Sequence, residues 1–70
     1  MSAVNLLDPV ALLDDRPELG LARGQLGTVV EQLADGMFEV EFDDQEGRTY
    51  AFAALPAATL LVLRTSPASV

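Results

Sequence analysis

The stretch Met37-Phe38-Glu39-Val40-Glu41-Phe42-Asp43 decides the fold class of this chain. Its apolar residues at positions 38, 40 and 42 alternate strictly with carboxylates. A period of two places one set of side chains on each face of a β-strand, whereas a helix would scatter both sets around its axis. The predicted core residues are Phe38, Val40 and Phe42, and the predicted solvent-facing residues are Glu39, Glu41 and Asp43.

Four further strands are predicted around this one, over residues 10–13, 25–33, 48–52 and 60–63. Asp35-Gly36 between two apolar runs is a strong signal for a hairpin turn, and residues 44–47 form the next turn. Gly24 and Gly27 predict a positive-φ turn followed by a bulge or a close backbone approach. Tyr50 and Phe52 are predicted to share one face of their strand and to join the aromatic core.

The remaining segments are predicted to be connections. Residues 14–24 read as a long first loop, and residues 55–58 as a short 3₁₀ turn before the last strand. A helix over 57–63 is the alternative, because alanine and leucine favour helices, but so short a helix is marginal on its own. We therefore expect an all-β, five-stranded SH3-like barrel over residues 1–64, with a loose tail over 65–70.

Composition limits the possible functions. The 70 residues suffice for one domain, and they include no cysteine and no histidine. This excludes disulfides, thiolate metal sites and the commonest general base, and it fits a cytoplasmic setting. No secretory signal and no apolar run long enough to span a membrane is expected from the sequence.

The charge balance is the strongest compositional signal. Eleven carboxylates face four basic residues, for a net charge of −7. Such a chain is repelled by phosphates and by anionic membranes, so neither nucleic acid nor a membrane is an expected partner. The charge steers the chain toward basic partners, or it serves solubility alone; both interpretations stay open.

The order of strands and loops resembles the SH3-like barrel. Residues 11–15, Ala-Leu-Leu-Asp-Asp, are similar to the Ala-Leu-Tyr-Asp-Tyr motif of peptide-binding SH3 domains. Leu13 and Asp15 replace the two tyrosines of that motif, and the chain has no tryptophan. Polyproline recognition needs an aromatic-lined groove, so that activity is not expected.

A closer resemblance covers about residues 5–64. The runs 7–13, 20–30, 38–42 and 47–50 resemble a small bacterial family known as domain of unknown function 4926. The resemblance implies structural glycines and supplies no catalytic residue. The resemblance also implies a genetic setting beside other small proteins, some of them toxin-like, and hence an antitoxin or immunity role.

Three kinds of site are candidates. Glu39, Glu41 and Asp43, continued by Asp44 and Glu46, could accept basic side chains of a partner, or form an ordinary solvated face. The turn 43–47 offers oxygen ligands but lacks the spacing of an EF-hand loop, so no metal site is expected. Paired carboxylates could act as acid and base only in a dry pocket, and a barrel this small fills its interior, so no catalytic site and no cofactor are expected.

The sequence thus predicts a non-catalytic protein-interaction module, of the antitoxin or immunity type or otherwise the regulatory partner of a larger basic protein. Binding would use Glu39, Glu41 and Asp43, together with apolar contacts from Leu19 and Leu21 in the first loop. One alternative is an accessory subunit resembling the SH3-like domains of nitrile hydratase. The other is a homo-oligomer that buries its own apolar surface.

Overall fold

The protein is all-β, as predicted. The computed structural model describes residues 4–64 and 66–67. Its strands are β1 (Pro9–Leu12), β2 (Leu26–Gln32), β3 (Met37–Asp43), β4 (Thr49–Pro56) and β5 (Leu60–Val62). Three short 3₁₀ segments connect them, at Pro17–Leu19, Ala34–Gly36 and Ala57–Thr59.

All five strands belong to one antiparallel sheet. Their order is β4-β3-β2-β1-β5, so that β2, β3 and β4 form successive hairpins and β5 returns to lie beside β1. This order is compatible with an SH3-like barrel. Within residues 4–64 and 66–67 the two outermost strands, β4 and β5, are not hydrogen-bonded to each other. The closed barrel therefore stays a prediction.

The core lies on one face of the sheet, and β3 lies near its centre. Phe38, Val40 and Phe42 are buried, with at most 6% of each residue exposed, which confirms the sequence prediction. Side chains from all the other strands complete the core. The buried apolar residues are Val4, Val10, Leu12, Leu21, Val29, Phe38, Val40, Phe42, Ala53, Leu55 and Leu60.

The predicted hairpin between β2 and β3 turns at Asp35-Gly36. Both residues have positive φ, 61° and 73°, which is the combination that a type I′ turn requires. Asparagine, aspartate and glycine tolerate this region best because their side chains are short or absent. Gly24 has a φ of 92°, so the predicted positive-φ turn before β2 is also confirmed.

Gly27 allows two strands to approach closely, the second role predicted for this pair of glycines. A Cβ atom at this position would lie 2.7 Å from Val40 Cγ1 and 2.9 Å from the carbonyl oxygen of Glu41. Real Cβ atoms essentially never approach that near. The absence of a side chain therefore lets β2 pair closely with β3 at this point, where Val40 and Phe42 fill the core.

The fourth strand differs most from its prediction. It extends to Pro56, four residues beyond the predicted end, and the 3₁₀ segment after it starts at Ala57. Tyr50 and Phe52 were expected in the core, but 47% and 58% of their surfaces are exposed. That prediction is wrong because the alternating set Ala51, Ala53 and Leu55 faces the core instead.

The other observed strand boundaries differ from the predicted ones by at most one residue. β1 begins at Pro9 and ends before Leu13, β2 lacks both predicted end residues, and β5 ends at Val62. The strand interpretation of 60–63, rather than the helix, is confirmed. The prediction of a loose tail over 65–70 lies, apart from Ser66 and Pro67, outside the described residues.

The first loop, between β1 and β2, folds back on itself. Arg16 and Leu21 exchange two backbone hydrogen bonds, of 2.8 and 3.0 Å, around the 3₁₀ turn Pro17–Leu19. Gly20 ends that turn with a φ of 72°. The Gly24 N–H then donates to the Leu12 carbonyl oxygen at 2.7 Å, which fixes the base of the loop to β1.

Candidate functional site

The candidate site is the outer face of the sheet, meaning the face opposite the core. Residues that lie directly opposite each other in an antiparallel pair project to the same face, so the register defines rows of neighbours. One row crosses four strands: Pro9 lies opposite Thr28, Thr28 opposite Glu41, and Glu41 opposite Phe52. Leu63 extends this row, because its N–H donates to the Pro9 carbonyl oxygen at 2.9 Å.

Two further rows flank the first. On one side, Ala11 lies between Leu61 of β5 and Leu26 of β2. On the other side, Glu39 lies between Glu31 of β2 and Ala54 of β4. The outer face is therefore apolar toward β1 and β5, acidic along β3, and apolar again on β4.

An acidic strip runs along the middle of this face, and we define it as Glu31, Glu39, Glu41 and Asp43. The three β3 carboxylates lie on the outer face, as predicted, but each residue is half-buried because β2 and β4 flank it. Same-face neighbours on one strand are about 6.6–6.8 Å apart, twice the rise per residue. Glu31 was not singled out from the sequence, since only the bulge after Val29 brings it opposite Glu39.

No basic side chain neutralises the acidic strip in the part of the chain that the structure describes. The ion pairs found there join Arg16 to Asp14 at 3.1 Å, and Arg48 to Asp44 and Glu46 at 3.4 and 3.6 Å. All of them lie in loops, where exposed pairs stabilise little. Arg48 thus pairs with carboxylates of its own turn, and no ion pair of the described residues involves the acidic strip.

A hollow opens on the outer face beside the strip. It is lined by Pro9, Leu26, Gly27, Thr28, Asp43 and Leu63. Its walls are mostly apolar, and Asp43 supplies the one carboxylate. The Thr49 hydroxyl donates to Asp43 Oδ1 at 2.9 Å, which orients this carboxylate and leaves its second oxygen without a side-chain donor in the described residues.

Exposed apolar side chains border the strip on both sides. Leu26 and Leu61 are 57% and 50% exposed toward the β5 edge, and Phe52 is 58% exposed on β4. Isolated exposed apolar residues are normal, but these share one face with the hollow. The face therefore combines apolar contact surface with uncompensated negative charge.

The first loop does not form the apolar contact surface that the sequence predicts. Leu21 is only 3% exposed and belongs to the core. Leu19 is 43% exposed, so it alone remains available for contact. The prediction for Leu21 is wrong because the loop turns back at Gly20 and carries the next side chain inward.

The turn after β3 uses its carboxylates for its own structure. Asp44 Oδ1 accepts hydrogen bonds from the backbone N–H groups of Glu46 and Arg48, both at 2.9 Å. An aspartate that caps its own turn in this way is common in tight connections. Among the described residues, no three or more acidic side chains converge as a metal site would require.

Tyr50 has a structural role other than the predicted one. Its hydroxyl accepts a hydrogen bond from Gln25 Nε2 at 2.9 Å, and its ring centroid lies 6.4 Å from that of Phe42 with a tilt of 42°. Tilted aromatic pairs at this separation are favourable. The ring therefore lies against a core residue and links β4 to the residue that precedes β2.

Comparison with known proteins places most of the chain in one family. The family model described as domain of unknown function (DUF4926) matches residues 6–62, which include all five strands. Searches among curated proteins and among solved structures give no match. Within the described ranges, the structure contains no helix with the length and apolar character that a membrane span needs.

Proposed function

The chain belongs to the family with domain of unknown function 4926, and we propose that its outer face binds a basic, extended segment of another protein. One observation carries the proposal: Asp43, oriented by Thr49, borders a hollow with apolar walls beside an acidic strip that has no described counter-ion. Nothing in this arrangement requires catalysis.

The hollow fits the side chain of an arginine or lysine. Such side chains lay their hydrocarbon stems along apolar surface and keep the charged head at a polar rim. Here Leu26, Leu63 and Pro9 would contact the stem, and the Asp43 carboxylate would accept hydrogen bonds from the head group. Arginine suits the site best, because its planar guanidinium matches a carboxylate with two parallel hydrogen bonds.

The acidic strip extends the same recognition along β3. Asp43, Glu41 and Glu39 follow one another at alternate positions, which gives a spacing of about 6.6–6.8 Å. An extended peptide with basic residues at alternate positions has the same spacing. We therefore propose a strand-like segment with two or three alternating arginines or lysines as the ligand.

The net charge of −7 supports a larger basic protein as the source of this segment. Complementary charge accelerates encounter and excludes acidic competitors. By covering the segment, this chain would neutralise or regulate that protein. If the basic protein is a toxin, this neutralisation is the antitoxin or immunity role that the family resemblance implies.

The test is a titration of the ¹⁵N-labelled protein with a blocked peptide in which arginine alternates with valine. The expected result is saturable shift changes in the backbone amides of residues 26–28 and 39–43. The control peptide carries citrulline for arginine, which keeps the shape and removes the charge, and it should not produce them. Binding should also weaken as the salt concentration rises, because exposed charges are screened.

Matched variants locate the site. Asp43→Asn should weaken peptide binding roughly two- to fivefold, the range of an exposed charge pair. Glu18→Gln removes the same charge from an exposed residue of the first loop and should leave the affinity within error of the parent. Equal effects of the two substitutions, or equal binding of the citrulline peptide, would overturn the proposal.

A further inference from the structure

The free edge of β4 is the most unusual feature outside the hollow and the acidic strip. Within the described residues, β4 pairs only with β3, and no other backbone group hydrogen-bonds to its outer edge. The strand Thr49–Pro56 is eight residues long and reads TYAFAALP, without a single charge. An edge strand that is long, apolar and uncharged is a ready template for another strand.

The protections that edge strands usually carry are missing here. Natural edges are kept short, or carry lysine, an inward-pointing charge or a central proline. The β5 edge follows this rule, since it is only three residues long. On β4 the proline is the last residue, and the register shift lies near the start, where Ala51 pairs with Phe42 and Thr49 pairs with Asp43. The middle of the strand is unprotected.

We propose that β4 pairs antiparallel with β4 of a second copy of this chain. A two-fold axis at Ala53 places Phe52 of one copy opposite Ala54 of the other, twice per dimer. All four of these side chains then lie on the outer face, since Phe52 and Ala54 already share it. The Phe52 ring lies beside the small Ala54 side chain, so the pair fits over the interface between the two β4 strands without a clash. The two five-stranded sheets then become continuous.

Charge does not prevent this pairing, although each copy carries −7. In this arrangement three strand spacings separate Glu39 of one copy from Glu41 of the other, or about 14 Å. The Debye length at physiological ionic strength is about 8 Å, so repulsion between the two acidic strips is largely screened. A dimer therefore forms most easily at moderate or high salt.

A second copy is the occupant that the composition of the edge favours. A basic partner would find no carboxylate on β4 itself, whereas an uncharged strand is complementary to its own copy. The inference is independent of the proposed peptide binding, because it concerns the edge of the sheet and not the acidic strip. In the dimer the two strips would flank a shared apolar centre.

Sedimentation velocity from low micromolar to millimolar concentration tests the dimer. Ala54→Glu adds a charge to the edge, and Ala58→Glu adds the same charge to an exposed residue of the 3₁₀ turn that follows. We expect a monomer–dimer equilibrium that strengthens as salt rises. We expect Ala54→Glu to raise the dissociation constant about tenfold, equivalent to ~1.4 kcal/mol, and Ala58→Glu to leave it unchanged.

A second pair of variants keeps the test decisive if Ala54→Glu does not fold. Phe52→Thr removes the ring and keeps a good strand former, and Leu61→Thr makes a similar change at the other edge of the sheet. Only Phe52→Thr should weaken the dimer. A parent chain that is monomeric at every concentration and salt level would overturn the inference, as would equal dimerisation of both members of either pair.

Discussion

Replacing Gly27 with alanine tests the closest packing in the sheet. The new Cβ would meet Val40 Cγ1 at 2.7 Å, the Glu41 carbonyl oxygen at 2.9 Å and Phe42 Cδ1 at 3.0 Å. Val40 and Phe42 have no exposed surface, so their side chains have no free space to move into. The carbonyl oxygen belongs to the backbone of a central strand and moves only with it. Relief of the contacts therefore requires β2 and β3 to separate.

The size of the effect follows from two opposing terms. Overpacking a core costs about 1–3 kcal/mol, and the upper part of that range applies where a backbone atom is involved. Alanine recovers roughly 0.5–1 kcal/mol, because glycine loses more conformational freedom on folding. We expect a net loss of about 2 kcal/mol from a core that supplies ~3–5 kcal/mol. Gly27→Ala should thus remove close to half of the free energy of unfolding.

Urea denaturation followed by circular dichroism measures this loss, and Gly20 supplies the control. At Gly20, φ is 72° and a Cβ added there would meet no atom within 4 Å, so alanine at this position meets only backbone strain. Asparagine tolerates this φ and should restore part of the stability lost in Gly20→Ala. At Gly27, asparagine is larger and should be worse than alanine. A Gly27→Ala protein as stable as the parent, or a Gly27→Asn protein more stable than Gly27→Ala, would refute the packing argument.

Two further predictions concern the loops. Leu21→Ala should lower the unfolding free energy by about 2–3 kcal/mol, because the side chain is buried. Leu19→Ala should change it by less than ~0.5 kcal/mol, and equal losses in the two variants would contradict the core position of Leu21. Asp44→Ala should cost about 1 kcal/mol, since two backbone N–H groups lose their acceptor, and Asp44→Asn should recover much of that loss because it keeps an acceptor oxygen. Urea midpoints measure both effects, and an Asp44→Asn protein no more stable than Asp44→Ala would assign the loss to charge instead.

The sequence alone is enough to predict β3 and the turn before it. Strict alternation over seven residues has one structural solution, and the observed strand begins and ends where the pattern does. Asp35-Gly36 likewise has few alternatives, since both residues must adopt positive φ. In both segments the local pattern favours the same conformation that the tertiary fold requires.

The face of β4 could not be predicted in the same way. Alternation correctly separates Phe52 from Ala53, but it does not say which set lies inside. Hydrophobicity favours the aromatic residues, yet the adjacent β3 already places Phe38 and Phe42 in the core. The smaller alanines beside those rings therefore face inward. Which set of β4 residues fits inside thus depends on the size of the side chains on the neighbouring strand, and the sequence of β4 alone does not contain that information.

The candidate site was predictable in part for a similar reason. The three β3 carboxylates follow from one strand, and the sequence places them correctly on the face away from the core. The hollow depends on Pro9, Leu26 and Leu63, which only the registers of three strand pairs bring together. No pattern within a single segment encodes that proximity.

The buried position of Leu21 has a consequence for how the protein opens. A surface loop that is free of the core exchanges its amide hydrogens and admits proteases independently of the rest of the domain. Here the reciprocal bonds between Arg16 and Leu21 fix the loop, and the Leu21 side chain contributes to the same apolar cluster as the strands. Deuterium uptake at these two amides should therefore follow global unfolding. Separation of the loop from the sheet should therefore require the core around Leu21 to open.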